Sequence, residues 1–172
     1  MPRGDLLMLD AVTVALPSGG AHQRGYYEAE KRVDPDEWFF KAHFYQDPVM
    51  PGSLGLEALL QLARWVLLTE TGRSIGHIQP MLDDQLIEWV YRGQVTQERT
   101  AVTVAIDVRE ISDGDTAMIR CDGMLSADGI PLYSLSNFGL KLIDAPAEET
   151  PPIIRRENPH SALLDAFTVD GN

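Results

Sequence analysis

The chain has 172 residues, of which 44% are hydrophobic, and a formal net charge of −12. That length fits one domain with its own hydrophobic core, and the negative charge argues against binding to nucleic acid or to an anionic membrane. The single cysteine, Cys121, excludes an internal disulfide bond, and no basic-then-apolar leader pattern opens the sequence. We therefore expect a soluble cytoplasmic domain.

Two strands and a helix start are predicted before the central part of the chain. Residues 6–16 are rich in Leu and Val, and residues 25–33 alternate between two faces, as a half-buried strand does. The Pro-Ser-Gly-Gly sequence of residues 17–20 predicts a turn between them. Residues 34–37 predict a short helix that begins with Pro35 at its first position.

The most informative stretch is a shaped loop followed by a long helix. Pro48 and Pro51 fix their own backbone angles and restrict the residues before them, which makes the loop stiff. Ser53 is a good N-cap, and residues 54–68 are nearly all helix formers. Gly72 is well placed to end this helix.

Only three polar side chains interrupt the apolar helix, and they share one face. Glu57, Gln61 and Arg64 are separated by four and then three residues, which places them on one stripe. A helix that is apolar nearly all round is usually buried. A carboxylate in such a place is costly unless it is partnered or protonated, so Glu57 needs a structural or a chemical reason.

The second half of the chain reads as an antiparallel meander. Its predicted strands, rich in Val, Ile, Thr and Tyr, are residues 85–91, 100–111, 115–125 and 130–143. Two Asp-Gly sequences between the later strands are typical of hairpin turns. The order of elements predicts an α+β fold in which a curved antiparallel sheet wraps one long buried helix.

The end of the chain differs in composition from the rest. Residues 144–172 begin with a Pro- and Glu-rich run and read as a linker-like tail. The predicted domain therefore covers residues 1–143. The sequence shows no metal-spaced Cys or His cluster and no glycine-rich phosphate loop, so no metal and no cofactor are expected.

Residues 38–57, Trp-Phe-Phe-Lys-Ala-His-Phe-Tyr-Gln-Asp-Pro-Val-Met-Pro-Gly-Ser-Leu-Gly-Leu-Glu, closely resemble the active-site segment of the hot-dog β-hydroxyacyl-thioester dehydratases. They are most similar to the dehydratase domains of polyunsaturated fatty acid and polyketide synthases. Residues 6–10 and 92–95 are also similar to that family, so the resemblance covers about residues 5–143. It implies a hot-dog fold, which agrees with the order of elements.

The resemblance also implies a reaction and its partners. The substrate would be a 3-hydroxyacyl group on the phosphopantetheine of acyl carrier protein, and the product a trans-2-enoyl thioester. In this family the histidine and the helix carboxylate of one site come from opposite subunits, which implies a homodimer or a tandem pseudo-dimer. The abrupt start and the linker-like end favour a domain of a larger synthase over a free-standing enzyme.

The chemistry assigns a role to each residue of the motif. His43 is the expected base that removes the C2 proton, since a neutral imidazole is available near pH 7. Glu57 could donate a proton to the leaving hydroxyl or hold it by a hydrogen bond. The backbone N–H groups of Gly52 and Ser53 open the helix where an enolate-like oxygen would form, and Gln61 could orient Glu57.

Each residue also has a structural reading. His43 could be a structural histidine, Glu57 could pair with Arg64 or with a loop, and Gln61 could satisfy backbone groups. Three other functions stay open: a hot-dog thioesterase, a dehydratase with added trans-2 to cis-3 isomerase activity, and a non-catalytic scaffold. The bifunctional bacterial enzyme has Asp and Cys where this chain has Glu57 and Ser53, and Glu is the residue of the purely dehydrating branch.

Overall fold

The computed structural model describes residues 4–73, 77–81 and 85–143. The predicted tail, residues 144–172, lies outside the described residues, so its separation from the domain stays a prediction. Within the described part of the chain, no helix is both long and apolar enough to cross a membrane.

Two strands, two helices and five further strands follow one another along the described chain. Their bounds are β1 (Ala11–Leu16), β2 (Tyr26–Arg32), α1 (Trp38–Ala42), α2 (Gly52–Thr71), β3 (His77–Pro80), β4 (Glu88–Tyr91), β5 (Ala101–Asp113), β6 (Ala117–Ala127) and β7 (Ile130–Ile143). A single 3₁₀ turn, Gly4–Leu6, precedes β1.

The seven strands form one antiparallel sheet, six of them in the order β1-β2-β5-β6-β7-β3, and β4 also pairs with β7. The long strand β7 carries two short partners on the same edge, β4 beside residues 133–136 and β3 beside residues 140–143. Hairpins join β5 to β6 and β6 to β7, as the two Asp-Gly sequences predict. In the second hairpin, Asp128 and Gly129 both have positive φ, which this kind of tight turn requires.

Helix α2 packs its apolar side against this sheet. The helix contacts β2, β5, β6 and β7, and its Leu and Val side chains form the core together with the inward-facing residues of those strands. Gly72 ends the helix in the left-handed conformation with φ 66°, as predicted. The prediction of an α+β fold, a long helix wrapped by a curved antiparallel sheet, is therefore confirmed.

Helix α2 is longer than predicted, and the assignment of Ser53 as its N-cap is wrong. The helix begins at Gly52 with Pro51 as N-cap, and no side chain caps it. The first turn closes through the backbone, because the N–H of Leu54 donates to the carbonyl of Pro51 at 3.0 Å. Ser53 lies inside the first turn with an exposed side chain.

The predicted helix start at residues 34–37 is also wrong. The side chain of Asp34 accepts a hydrogen bond from the N–H of Asp36 at 2.9 Å, which makes a turn. The N–H of Glu37 donates to the carbonyl of Asp34, and α1 begins only at Trp38. An Asp side chain that bonds to the backbone two residues on competes with helix formation at that position.

Two strand predictions need correction. Residues 6–10 do not join β1, because the carbonyl of Leu6 and the N–H of Met8 bond to the side chain of Gln61. Strand β3 was not predicted, since its four residues, His-Ile-Gln-Pro, show no strand periodicity. Its pairing with β7 decides its conformation.

Candidate active site

His43 comes directly after α1 and points back toward the proline-rich loop. Its backbone N–H donates to the carbonyl of Phe39 at 3.1 Å, and its ring stacks on Phe44 with a centroid distance of 3.9 Å. Its Nδ1 lies 3.2 Å from the carbonyl oxygen of Val49. A carbonyl can only accept, so in the neutral ring Nδ1 carries the proton. Nε2 is then the basic nitrogen, as a proton acceptor requires.

The loop between His43 and α2 is fixed by backbone contacts. Met50 donates its N–H to the carbonyl of Val95 at 2.9 Å, and Val49 forms an isolated bridge with Thr96. Val49 and Met50 are themselves buried. The carbonyl that holds the His43 ring therefore belongs to an anchored segment.

Gln61 ties Glu57 to the start of the chain. The side chain of Gln61 is fully buried, and its Nε2 donates both to Oε1 of Glu57 at 2.8 Å and to the carbonyl of Leu6 at 2.7 Å. Its Oε1 accepts the N–H of Met8 at 2.9 Å. These partners fix which end of the amide faces Glu57, because a carbonyl and a carboxylate can both accept but an N–H cannot.

The predicted polar stripe is only partly buried. Gln61 is inside, while Glu57 and Arg64 are half-buried. The structural alternative that pairs Glu57 with Arg64 finds no support, since among the described residues Nε of Arg64 has no hydrogen-bond partner and Glu57 bonds to Gln61. Among the described residues, the one side-chain hydrogen bond that Glu57 makes is to Gln61.

The first residues of α2 lie beneath three aromatic rings. A Cβ on Gly52 would lie 3.2 Å from Cε2 of Tyr91 and 3.5 Å from the Trp89 ring. A Cβ on Gly55 would lie 2.2 Å from Cε2 of Tyr133, so only glycine fits there. The space beside Gly52 is thus bounded by Trp89 and Tyr91 of β4.

The structure brings together some of the predicted site residues and leaves others apart. Gly52, Ser53, Glu57 and Gln61 all lie on the first three turns of α2. His43 and Glu57 share no hydrogen bond or ion pair among the described residues, since their hydrogen bonds run to Val49 and Gln61. Their roles in a reaction stay predictions.

The aromatic residues that surround the helix start lie outside the loop-to-helix motif. Trp89 and Tyr91 are two residues apart on β4, and this spacing places two side chains on one face of a strand. That spacing was the available signal. The stacking of Tyr91 on Tyr133 depends on the pairing of β4 with β7, which the sequence does not reveal.

Comparison with known proteins gives one family and several solved structures of similar fold. A model of the FabA-like domain matches residues 1–136. The dehydratase heterocomplex ApeI:P from Xenorhabdus doucetiae contains a similar chain, with 12% identity, a TM-score of 0.56, and coverage of 83% of this chain and 87% of that chain. AziG from S. sahachiroi is similar at 10% identity and a TM-score of 0.51, over 78% of this chain and 91% of that chain.

A third similar structure has a different described activity. It is a protein from Mycobacterium tuberculosis whose assignment as an esterase is provisional, with 11% identity and a TM-score of 0.51 over 83% of this chain and 98% of that chain. At these identities the three structures support the fold alone. The expected hot-dog fold is confirmed, and the comparisons do not separate dehydration from thioester hydrolysis.

Proposed function

The chain belongs to the FabA-like domain family, and from that premise we propose that it is a dehydratase that converts 3-hydroxyacyl thioesters of acyl carrier protein to trans-2-enoyl thioesters. The observation that carries this proposal is the loop-to-helix segment. It supplies a histidine with a basic Nε2, a helix start without a side-chain cap, and a carboxyl oriented by Gln61. Elimination of water needs these three kinds of group: a base, an oxyanion site and an acid.

The proposed reaction begins with proton transfer to His43. Nε2 takes the proton from C2 of the substrate, and the electron pair of that C–H bond moves toward the thioester oxygen. The N–H groups of Gly52 and Ser53, at the positive end of the α2 dipole, stabilise the negative charge on that oxygen. The C2–C3 double bond then forms as the C3–O bond breaks.

Glu57 supplies the proton for the leaving group. Its protonated carboxyl donates to the 3-hydroxyl, which departs as water, and this leaves Glu57 ionised and His43 protonated. Solvent returns both groups to their starting states. The hydrogen bond from Gln61 fixes one carboxyl oxygen of Glu57 and leaves the other free to face the substrate.

We infer that the working site forms between two copies of the domain, as a homodimer or a tandem pseudo-dimer. Two observations support this. His43 and Glu57 share no hydrogen bond among the described residues, since they bond to Val49 and Gln61. The open edge at β4 also exposes large apolar side chains: Leu86 82%, Ile87 37%, Trp89 45% and Tyr91 43% exposed. Large apolar side chains that are exposed close together in the sequence are typical of an interface.

Identification of the product separates dehydration from thioester hydrolysis. The wild-type protein is incubated with 3-hydroxybutyryl-pantetheine. An enoyl thioester absorbs in the near ultraviolet, whereas hydrolysis releases a thiol that a thiol reagent detects. We expect the enoyl absorbance to rise with no release of thiol. Release of thiol at a rate that exceeds the formation of enoyl thioester would contradict the proposal and favour the thioesterase.

A further inference from the structure

Tyr133 has a buried hydroxyl whose hydrogen-bonding capacity is unused. Its side chain is 1% exposed, and its oxygen has no hydrogen-bond partner among the residues that the structure describes. Buried polar atoms nearly always have a partner, because an unsatisfied one loses its bonds to water without replacement. A phenylalanine would fill the same space without that cost, so the hydroxyl needs an explanation.

The hydroxyl lies at the start of α2. Tyr133 is on β7, directly across from Tyr91 on β4, and the two rings stack with a centroid distance of 4.7 Å. The ring atom of Tyr133 closest to Gly55 is Cε2, which is bonded to the carbon that carries the hydroxyl. The phenol therefore stands over the first turns of α2, and Tyr91 stands over Gly52 in the same way.

Gly55 makes room for this arrangement. Glycine inside a helix is unfavourable relative to alanine, yet a Cβ here would lie 2.2 Å from the Tyr133 ring. The sequence thus accepts a poor helix former where a larger residue would displace the phenol. The same helix start carries the N–H groups of Gly52 and Ser53, which have no acceptor within the helix.

The phenol is suited to donate a hydrogen bond and not to take a proton. Burial raises the pKa of Tyr133, and the neighbouring Tyr91 adds to that shift. The hydroxyl is therefore neutral and protonated at any pH near 7. The Tyr91 hydroxyl is near enough to add to that shift, but the pair does not meet hydrogen-bond geometry, so the Tyr133 hydroxyl keeps its capacity to donate.

We propose that the Tyr133 hydroxyl is a third donor to the thioester oxygen of the substrate, beside the N–H groups of Gly52 and Ser53. This inference rests on the proposed function and adds to it a catalytic residue that the loop-to-helix motif does not contain. Tyr133 transfers no proton: it donates one hydrogen bond, which strengthens as negative charge develops on the oxygen.

A pair of matched substitutions tests this. Tyr133→Phe removes the unpartnered hydroxyl. Tyr27→Phe is the control. Tyr27 lies on β2 and is equally buried, but its hydroxyl has a partner, because it donates to Glu70 at 2.8 Å. The measurements are Tm, kcat and KM for dehydration of 3-hydroxybutyryl-pantetheine, and the affinity for the product crotonyl-pantetheine by calorimetry.

We expect Tyr133→Phe to impair catalysis without loss of stability, and Tyr27→Phe to lower stability without loss of catalysis. Tyr133→Phe keeps or raises Tm, lowers kcat about 10²-fold and weakens product binding about fivefold. Tyr27→Phe lowers Tm and keeps kcat and product affinity. An active wild type whose Tyr133→Phe variant has unchanged kcat and unchanged product affinity would overturn the role of Tyr133 and leave the dehydratase intact.

Turnover and product binding of the wild-type protein show which of the two proposals fails, the dehydratase or the role of Tyr133. A wild type that binds crotonyl-pantetheine without dehydrating the hydroxyacyl substrate would overturn the dehydratase, and the Tyr133→Phe affinity would still decide whether this hydroxyl contacts the thioester. A wild type that neither turns over the substrate nor binds the product would overturn both.

Discussion

The side-chain amide of Gln61 donates one hydrogen bond to the carboxyl of Glu57, at 2.8 Å, and another to the backbone of Leu6, at 2.7 Å. One residue thus joins the proposed acid to the segment that precedes β1. The same side chain accepts the N–H of Met8. The position of Glu57 and the packing of residues 4–8 are therefore coupled.

Gln61→Ala should reduce both stability and turnover. It leaves the N–H of Met8 and the carbonyl of Leu6 without partners, at a cost of about 1–3 kcal/mol for an unsatisfied buried group. It also frees the Glu57 side chain, so kcat should fall. The control is Gln97→Ala, since Gln97 donates to Pro35 at an exposed site. Chemical denaturation measures the stability and steady-state kinetics measure kcat. A Gln61→Ala protein with full stability would show that the hydrogen bonds of Gln61 to Leu6, Met8 and Glu57 do not stabilise the domain.

Glu57→Gln should remove most activity while the domain stays folded. Glutamine is nearly the same size, and its carbonyl oxygen can accept the bond that Gln61 now donates to Glu57. It cannot supply the proton, and it removes the cost of a half-buried carboxyl, so Tm should stay level or rise. If Glu57→Gln aggregates while Glu57→Asp keeps its activity, the carboxyl is a structural partner and not the acid.

Gly55→Ala should destabilise the protein although alanine is the better helix former. The added Cβ meets the Tyr133 ring at 2.2 Å, and overpacking of this kind typically costs about 1–3 kcal/mol. Gly114→Ala is the control, because nothing lies within 4 Å of a Cβ there. Denaturant melts compare the two. Equal midpoints for Gly55→Ala and the wild type would show that Tyr133 moves away at little cost.

The domain should bind isolated acyl carrier protein weakly. Carrier proteins are usually acidic and this chain has a net charge of −12, so long-range charge opposes their encounter. Two basic residues that could offset this are already paired with carboxylates: Lys31 with Glu37 at 2.6 Å and Lys41 with Asp36 at 3.0 Å.

For isolated acyl carrier protein we expect a dissociation constant of about 100 μM or higher. The affinity should change little, or increase, at higher salt. Weak binding of this kind is sufficient for a carrier that is tethered to the domain in one synthase. Calorimetry at two salt concentrations measures it. Micromolar binding that collapses with added salt would instead indicate a discrete enzyme with a basic docking face.

Much of the fold follows from local pattern. The alternation in β2, the Asp-Gly turns and the apolar run of α2 each carry their own physical signal, and the structure contains all of them. The sequence-based predictions are wrong where a contact with a distant part of the chain determines the local conformation. Residues 6–10 leave the strand because Gln61 takes their backbone groups, and β3 exists because β7 offers an edge.

The candidate site, like the fold, could be predicted from the sequence only in part. The motif places Gly52, Ser53, Glu57 and Gln61 on one helix, and helical spacing alone brings Glu57 and Gln61 together. Tyr133 lies far from this motif in sequence and reaches the helix start because β7 packs against α2. A residue brought into place by the packing of a distant strand leaves no mark in the local sequence.

The most direct test of the account is intact mass spectrometry of carrier-bound 3-hydroxyacyl substrates after incubation with the wild-type protein, with His43→Ala and with His77→Ala. His77 is an exposed histidine on β3 and serves as the matched control. We expect the wild type and His77→Ala to remove one water from the acyl group. A folded His43→Ala should be slower by about 10²–10⁴-fold, since it lacks the general base. Loss of the whole acyl group, or full dehydration by a folded His43→Ala protein, would contradict the account.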